Sequence, residues 1–284
     1  MNNLPKGQSY LCGQANEPLL YETIGACVER IAATYPDKEA LVVRHQNIRW
    51  TFSEYKSRID ALAAGLVSLG VEPGDRVGIW SPNRVEWCLT QFATAKIGAI
   101  MVCINPAYRP YELEYALNKV KCQTIITAAQ FKTSEYLRML QEMAPELATC
   151  EPGELKSIKL PHLTTVIRMG DAVSPGMFNF DKVCEMGEDT HYDRMAEIAP
   201  TLQADDAINI QFTSGTTGSP KGATLSHFNI LNNGLQVGAG MRFTSEDRLC
   251  IPVPLYHCFG MVMGNLTCMT HGACAVFPDE GFDP

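Results

Sequence analysis

The sequence of 284 residues is poor in charge and lacks the features of several special protein classes. Charged residues make up 19% of the chain, against roughly 25% in an average protein, and the formal net charge is −8. This balance argues against nucleic acid or an anionic membrane as a partner held by bulk electrostatics. No apolar run approaches the ~20 residues of a membrane helix, and no secretory signal or arginine-rich leader opens the chain. We therefore expect a cytoplasmic protein without a transmembrane segment.

The eleven cysteines include no C-x-x-C pair. Their odd number and their apolar neighbours indicate reduced thiols in the core rather than a disulfide framework. A histidine and cysteine cluster follows residue 256, and it comprises His257, Cys258, Cys268, His271 and Cys274. Because this spacing fits no common zinc pattern, we assign the chain no structural metal.

Short apolar strands alternate with amphipathic helices from residue 76 onward, among them a strand over 76–80 and a helix over 110–119. This alternation predicts an α/β fold of layered, mostly parallel sheets flanked by helices. We expect a first α/β subdomain over residues 1–204, with a connecting region at 144–202 that contains a strand over 164–168, and a second subdomain over 205–284. Within the first subdomain, apolar runs on both sides of 45–47 predict a hairpin, and a helix over 53–69 is predicted with Ser53 as its N-cap. A buried helix is predicted over 259–269 in the second subdomain.

One loop, between an apolar strand at 207–212 and a second extended segment, concentrates glycine, hydroxyl and lysine side chains. Glycine lets the backbone approach a ligand closely, hydroxyls donate hydrogen bonds or bind a hard cation, and lysine adds positive charge. Together they predict a site for an anionic, oxygen-rich ligand, formed by Thr213, Ser214, Gly215, Thr216, Thr217, Gly218, Ser219, Pro220 and Lys221.

This loop differs from the two common nucleotide motifs. The mononucleotide motif G-x-x-x-x-G-K-[ST] requires glycine where Pro220 stands, and it requires Ser or Thr where Gly222 follows the lysine. The dinucleotide motif G-x-G-x-x-G begins at Gly238 but meets Phe243 at its third glycine. The spacing therefore disfavours P-loop and Rossmann enzymes.

The loop resembles the phosphate-binding signature of the adenylate-forming superfamily, which includes acyl-CoA synthetases, luciferases and peptide-synthetase adenylation domains. Further segments resemble the family's other core motifs in the same order, namely Trp50–Tyr55, Ala95–Ala99 with Asn105–Pro106, and Pro254–Gly260. Residues 208–212 and 223–227 are similar to medium-chain fatty acyl-CoA ligases. The resemblance covers nearly the whole chain.

The resemblance implies that a carboxylate reacts with ATP to give an acyl-adenylate and pyrophosphate, and that coenzyme A then forms a thioester and releases AMP. It implies a catalytic role for His257 near the reacting carboxylate and the α-phosphate. Mg²⁺ would arrive with ATP, with Thr216 as a candidate ligand. The acyl chain would lie along the helix after the loop and the segment after His257, at Asn233, Gly234, Gly238, Phe259, Gly260 and Met261.

Family members continue past the position of Pro284, so we expect an N-terminal piece of a longer enzyme, without the C-terminal domain and inactive alone. Small-molecule substrates are the expected partners, and a homo-oligomer is left open. An aryl-CoA ligase or an amino-acid adenylation domain is the alternative within the superfamily. A non-catalytic protein that binds nucleotide or acyl groups is the alternative outside it.

Overall fold

The fold combines two sheets with surrounding helices, as described by a computed structural model for residues 18–213 and 220–282. The strands are β1 (Glu39–Val43), β2 (Ile48–Thr51), β3 (Arg76–Trp80), β4 (Ile100–Cys103), β5 (Thr124–Thr127), β6 (Thr165–Arg168), β7 (Phe178–Asn179), β8 (Ala207–Thr213), β9 (Lys221–Ser226), β10 (Arg248–Cys250) and β11 (Cys274–Phe277). The longer helices are α1 (Ile24–Thr34), α2 (Phe52–Ser68), α3 (Val85–Lys96), α4 (Pro110–Lys119), α5 (Tyr136–Met143), α6 (Phe180–Glu185), α7 (Asp189–Ile198) and α8 (His227–Met241). The last helical segment joins α9 (Cys258–Gly260), a π-helical turn (Met261–Leu266) and α10 (Thr267–His271).

The larger sheet has the strand order β7-β6-β5-β3-β4-β8-β9. All of its pairings are parallel except that of β8 with β9. In its centre, Val77, Ile79 and Trp80 of β3 are buried, as expected for a parallel strand covered on both faces. Parallel strands end at the same side of a sheet, so the loops after β3, β4, β5, β6 and β8 meet there. We call this side the carboxyl edge.

The smaller sheet has the order β10-β11-β1-β2, with β1 parallel to β11 and antiparallel to β2. The hairpin of β1 and β2 turns at Asn47, whose backbone φ of 54° lies in the left-handed region. Each sheet therefore contains strands from before and after residue 204. The α/β class of mostly parallel, helix-flanked sheets is confirmed, whereas the division at residue 204 stays a prediction.

Two predicted details differ from the structure. Helix α2 is capped by Thr51 instead of Ser53, because the Thr51 hydroxyl accepts the Glu54 N–H and the Glu54 carboxylate accepts the Thr51 N–H. The connecting region also contains α6 and α7 besides the predicted strand β6. In α7 only Met195 and Ile198 are buried, which leaves too short an apolar stripe for its periodicity to be recognised.

Candidate active site

The predicted phosphate loop connects β8 to β9 at the carboxyl edge. Six of its predicted residues lie outside the described part of the chain, namely Ser214, Gly215, Thr216, Thr217, Gly218 and Ser219. The described residues at its two ends are held together. The Thr213 hydroxyl donates to the carbonyl of Lys221 at 3.4 Å, and the hydroxyl of Tyr115 on α4 donates to the carbonyl of Pro220 at 3.1 Å.

The strand that enters this loop carries a buried polar face. Asn209 and Gln211 are two residues apart and therefore share one face of β8, and the Gln211 amide nitrogen donates to Asn209 Oδ1 at 3.1 Å. Both amides also contact Met261 of the π-helical turn, at 3.6 and 3.7 Å from its sulfur. The helical segment that begins after His257 thus packs directly on the strand that leads into the loop.

His257 is exposed and occupies the N-cap position of that helical segment. Its Nδ1 accepts the backbone N–H of Phe259 at 3.1 Å, which places the proton of the neutral ring on Nε2. The backbone N–H of His257 donates to the carbonyl of Pro254 at 3.3 Å and closes a tight turn. The imidazole can therefore offer an Nε2–H donor to a carboxylate or phosphate oxygen.

The residues predicted for the acyl pocket fall into two groups. Gly234, Gly238 and Gly260 are close-packing positions, since an added Cβ at Gly238 would lie 2.2 Å from the His271 ring and one at Gly260 would lie 2.5 Å from the Pro254 carbonyl oxygen. Met261 is fully buried against β8, whereas Phe259 is 52% exposed and Asn233 is also exposed. The structure fills the space beside the glycines, and the acyl pocket stays a prediction.

A crevice opens elsewhere on the carboxyl edge, between the ends of β3 and β5. The chain leaves β3 for β4 on one side and leaves β5 for β6 on the other, so this is a topological switch point, where α/β sheets commonly bind ligands. A cavity of about 410 Å³ adjoins one of about 330 Å³, and both include Phe131, Lys132 and Glu280. We call the two together the crevice, and its walls are 81–84, 105–107, Arg109, 128–134, 168–170, Pro254, Tyr256 and 280–282.

The crevice is locally basic on an acidic chain. Its walls, as far as the structure describes them, carry four cationic side chains, namely Arg84, Arg109, Lys132 and Arg168, and one carboxylate, that of Glu280. Arg84 pairs with Glu280 at 2.7 Å and with Glu86, which lies just behind the wall, at 3.1 Å. Arg168 is only 6% exposed, and its guanidinium donates to neutral acceptors, the Met169 carbonyl at 3.1 Å and the Ser174 hydroxyl at 3.2 Å. Within residues 18–213 and 220–282 it forms no ion pair, so an anionic ligand would compensate its buried charge.

Sequence patterns did not predict this crevice. In the sequence, a helix-entry loop explains Arg109 as well as a ligand contact does, and Lys132, Arg168 and Asn83 belong to no recognisable motif. One usable signal exists, because each of these residues ends or follows a predicted parallel strand. The rule that ligands bind beyond the carboxyl ends of such strands could have selected them.

The buried thiols have the character of core residues. Burial raises the pKa of Cys27, Cys103 and Cys122 to about 12, so these groups are protonated and poorly nucleophilic near neutral pH. No grouping of three metal-binding side chains occurs in the described ranges. The described helices also include none long and apolar enough to cross a bilayer.

Comparison with known proteins agrees with this architecture. The family model described as AMP-binding enzyme matches residues 28–284. The chain belongs to this family. It is 45% identical over 277 residues to the medium-chain acyl-CoA ligase ACSF2, mitochondrial, of Danio rerio, covering 97% of this chain and 46% of that protein. The Homo sapiens protein of the same name is 45% identical over 282 residues, with 98% and 46% covered.

Among solved structures, the anthranilate CoA ligase AuaEII with anthranoyl-AMP shares the fold, with a TM-score of 0.74 at 23% identity. The alignment covers 94% of this chain and 46% of that one. The chain thus spans about half the length of the relatives it matches. The predicted cytoplasmic location is wrong by the names of the ACSF2 relatives, which are mitochondrial. That prediction depended on a leader pattern not being found, which does not determine a compartment.

Proposed function

We propose that this chain supplies the ATP-binding and acid-binding part of an ATP-dependent acyl-CoA ligase that acts on medium-chain fatty acids. The family membership and the names of the ACSF2 relatives support this substrate class. ATP with its Mg²⁺ and coenzyme A are the co-substrates. The same names support a mitochondrial location.

One observation carries the proposal: Met261, four residues after His257, packs on Gln211, two residues before Thr213, at 3.7 Å. The helical segment that follows His257 is therefore packed on β8, the strand that leads into the phosphate loop. The His257 turn and the phosphate loop would each be an ordinary loop alone. An imidazole donor and a loop suited to the phosphates of ATP are thus attached to the same packed strand and helical segment, which supports the proposal.

In the first step, a carboxylate oxygen of the fatty acid attacks the α-phosphorus of ATP, and the bond to pyrophosphate breaks. The loop amides, its hydroxyls and Lys221 hold the β- and γ-phosphates and stabilise the charge that grows on this leaving group. His257 donates Nε2–H to an oxygen of the two approaching anions, which reduces their repulsion and orients them. Thr216 is the candidate ligand for the Mg²⁺ that accompanies ATP.

In the second step, the thiol of coenzyme A loses its proton to solvent, its sulfur attacks the acyl carbon, and the bond from that carbon to the phosphate oxygen breaks as AMP leaves. Coenzyme A carries phosphates on one end, and the crevice offers both Arg109 and Lys132 and the apolar surface of Phe131. Such a wall suits a ligand with anionic groups on an aromatic body. We therefore assign the crevice to the nucleotide portion of coenzyme A.

The test is a carboxylic-acid panel with the protein of the full reading frame, following pyrophosphate release. We expect fatty acids of medium chain length to give the highest kcat/KM, with a gradual change per CH₂ because each is worth at most ~0.8 kcal/mol of burial. Preference for aryl or amino acids would identify the alternative ligases. Nucleotide binding without release for any acid would identify a non-catalytic binding protein and refute the proposal.

A further inference from the structure

Asn83 uses both ends of its side-chain amide on one distant stretch of backbone. It follows β3 at the carboxyl edge and is 1% exposed. Its Nδ2 donates to the carbonyl of Val253 at 2.9 Å, and its Oδ1 accepts the N–H of Leu255 at 2.8 Å. The amide thus fixes the backbone on both sides of Pro254, as a neighbouring strand would.

The backbone that Asn83 holds leads directly to His257. The carbonyl of Pro254 accepts the N–H of His257 at 3.3 Å, and the carbonyl of His257 accepts the N–H groups of Gly260 and Met261, both at 3.0 Å. Gly260 leaves no room for adjustment, because even a methyl group there would meet the Pro254 carbonyl oxygen. The position of the imidazole therefore depends on where the backbone of residues 253–255 is held.

A third contact joins Asn83 to the far wall of the crevice. Its backbone N–H donates to the carbonyl of Glu280 at 3.0 Å, and Glu280 pairs with Arg84. Three chain segments that are remote in sequence therefore meet at one buried asparagine.

We propose that Asn83 is a positioning residue that holds His257 in the orientation required for adenylation. The catalytic part of this inference rests on the proposed function, since it assumes that His257 contacts the reacting anions. The claim that Asn83 fixes the orientation of the imidazole does not rest on the proposed function, because it concerns only the geometry of His257. An aspartate at this position would keep the acceptor for Leu255 but lose the donor for Val253, and an alanine would lose both.

Asn232 on α8 provides a matched control for a purely structural role. It is 7% exposed, its Oδ1 accepts the N–H of Leu20 at 2.7 Å, and its Nδ2 donates to the carbonyl of Leu20 at 2.9 Å. It therefore also joins distant backbone through both ends of its amide, but without a contact to the His257 turn. Replacing Asn232 therefore tests how the loss of two such amide–backbone hydrogen bonds affects folding without disturbing His257.

The experiment compares the variants N83A, N83D, N232A, H257A and the N83A/H257A double variant in the protein of the full reading frame. We expect N83A to lower kcat for pyrophosphate release about tenfold to a hundredfold with little change in the KM for ATP, because a small misplacement of a catalytic group has effects of this size. N83D should fall between N83A and the unmodified protein, and N232A should stay within about twofold of it. In the H257A background, adding N83A should change the rate by less than about twofold, since there is no imidazole left to position.

The imidazole itself gives a second readout that does not require activity. The ¹⁵N shifts of His257, assigned by their loss in H257A, should report a proton fixed on Nε2 in the unmodified protein and in N232A. In N83A they should shift toward a mixture of tautomers. If N83A does not fold, N83D supplies both measurements.

Two results would overturn the role of Asn83. One is an equal loss of rate on adding N83A in the presence and absence of His257, and the other is an unchanged imidazole spectrum in N83A and N83D. If the unmodified protein releases no pyrophosphate with any acid, the proposed function fails instead. The ¹⁵N spectra then still decide whether Asn83 orients His257.

Discussion

His227 is expected to make the stability of the fold depend on pH. It is fully buried at the start of α8, and its Nδ1 accepts the backbone N–H of Ile24 at 3.0 Å. Its Nε2 has no hydrogen-bond partner in the described part of the chain. Burial lowers the pKa of this imidazole from 6.5 to about 4, and the nearby carboxylate of Asp206 only partly opposes the effect.

The direction of the effect follows from which state binds the proton first. In the unfolded chain the imidazole takes a proton below about pH 6.5, whereas the folded protein resists it until about pH 4. The stability contributed by neutral His227 is therefore complete above the unfolded pKa and is lost as the pH falls toward the folded one. Linkage gives a loss of about 2 kcal/mol between about pH 7 and about pH 5, and about 3 kcal/mol by about pH 4.

The measurement is urea unfolding over this pH range for the unmodified protein and for His227→Asn. Asparagine can place its amide oxygen where Nδ1 accepts the Ile24 N–H, but it does not titrate, so it isolates the contribution of the imidazole from that of the carboxylates. We expect the difference between the two free energies of unfolding to shrink or change sign as the pH falls, by about 2 kcal/mol. Parallel pH curves for the two proteins would refute the reasoning. His227→Leu should cost about 1–3 kcal/mol at neutral pH, because it leaves the buried Ile24 N–H without an acceptor.

Three further predictions concern the candidate site. Replacing His257 with Ala should slow pyrophosphate release about a hundredfold by removing the group that orients the two anions, and an unchanged rate would remove it from the mechanism. Replacing Arg109 and Lys132 together with Ala should raise the KM for coenzyme A about tenfold without affecting pyrophosphate release, and an equal effect on the first step would contradict the assignment of the crevice. Gly260→Ala should destabilise the protein by about 1–3 kcal/mol, since its Cβ would lie 2.5 Å from the Pro254 carbonyl oxygen. The midpoint of thermal unfolding measures the destabilisation by Gly260→Ala. An unchanged midpoint would show that the backbone of the turn can move to accommodate the added methyl group.

Sequence periodicity predicted the elements whose apolar pattern is strong. Strand β3 and helix α4 have the predicted bounds, Arg76–Trp80 and Pro110–Lys119, and the predicted hairpin of β1 and β2 forms. Short polar helices such as α7 carried too little pattern. The predicted helix over 259–269 is present, but the π-helical turn inside it has no periodicity of its own by which to recognise it.

The phosphate loop and His257 could be selected from sequence because each lies in a compact local motif. Asn83 could not, because its partners Val253 and Leu255 are about 170 residues away. Asparagine after a strand is an ordinary turn residue, and only tertiary structure shows that this one spans two chain segments. Local sequence motifs therefore reveal residues that contact a ligand more readily than residues that position them through distant backbone.

The charge of the crevice is hidden for a related reason. Arg84, Arg109, Lys132 and Arg168 come from four separate loops or strand ends, none of them basic as a segment, in a chain of net charge −8. A parallel sheet brings the ends of its strands to one edge, so isolated cations from distant positions accumulate there without any basic run. At physiological salt, charges beyond about 8 Å are largely screened, and the acidic remainder of the chain does little to oppose an anion already at this edge. Composition therefore argues against a partner attracted by the whole surface, while the topology still permits a site for small phosphorylated ligands.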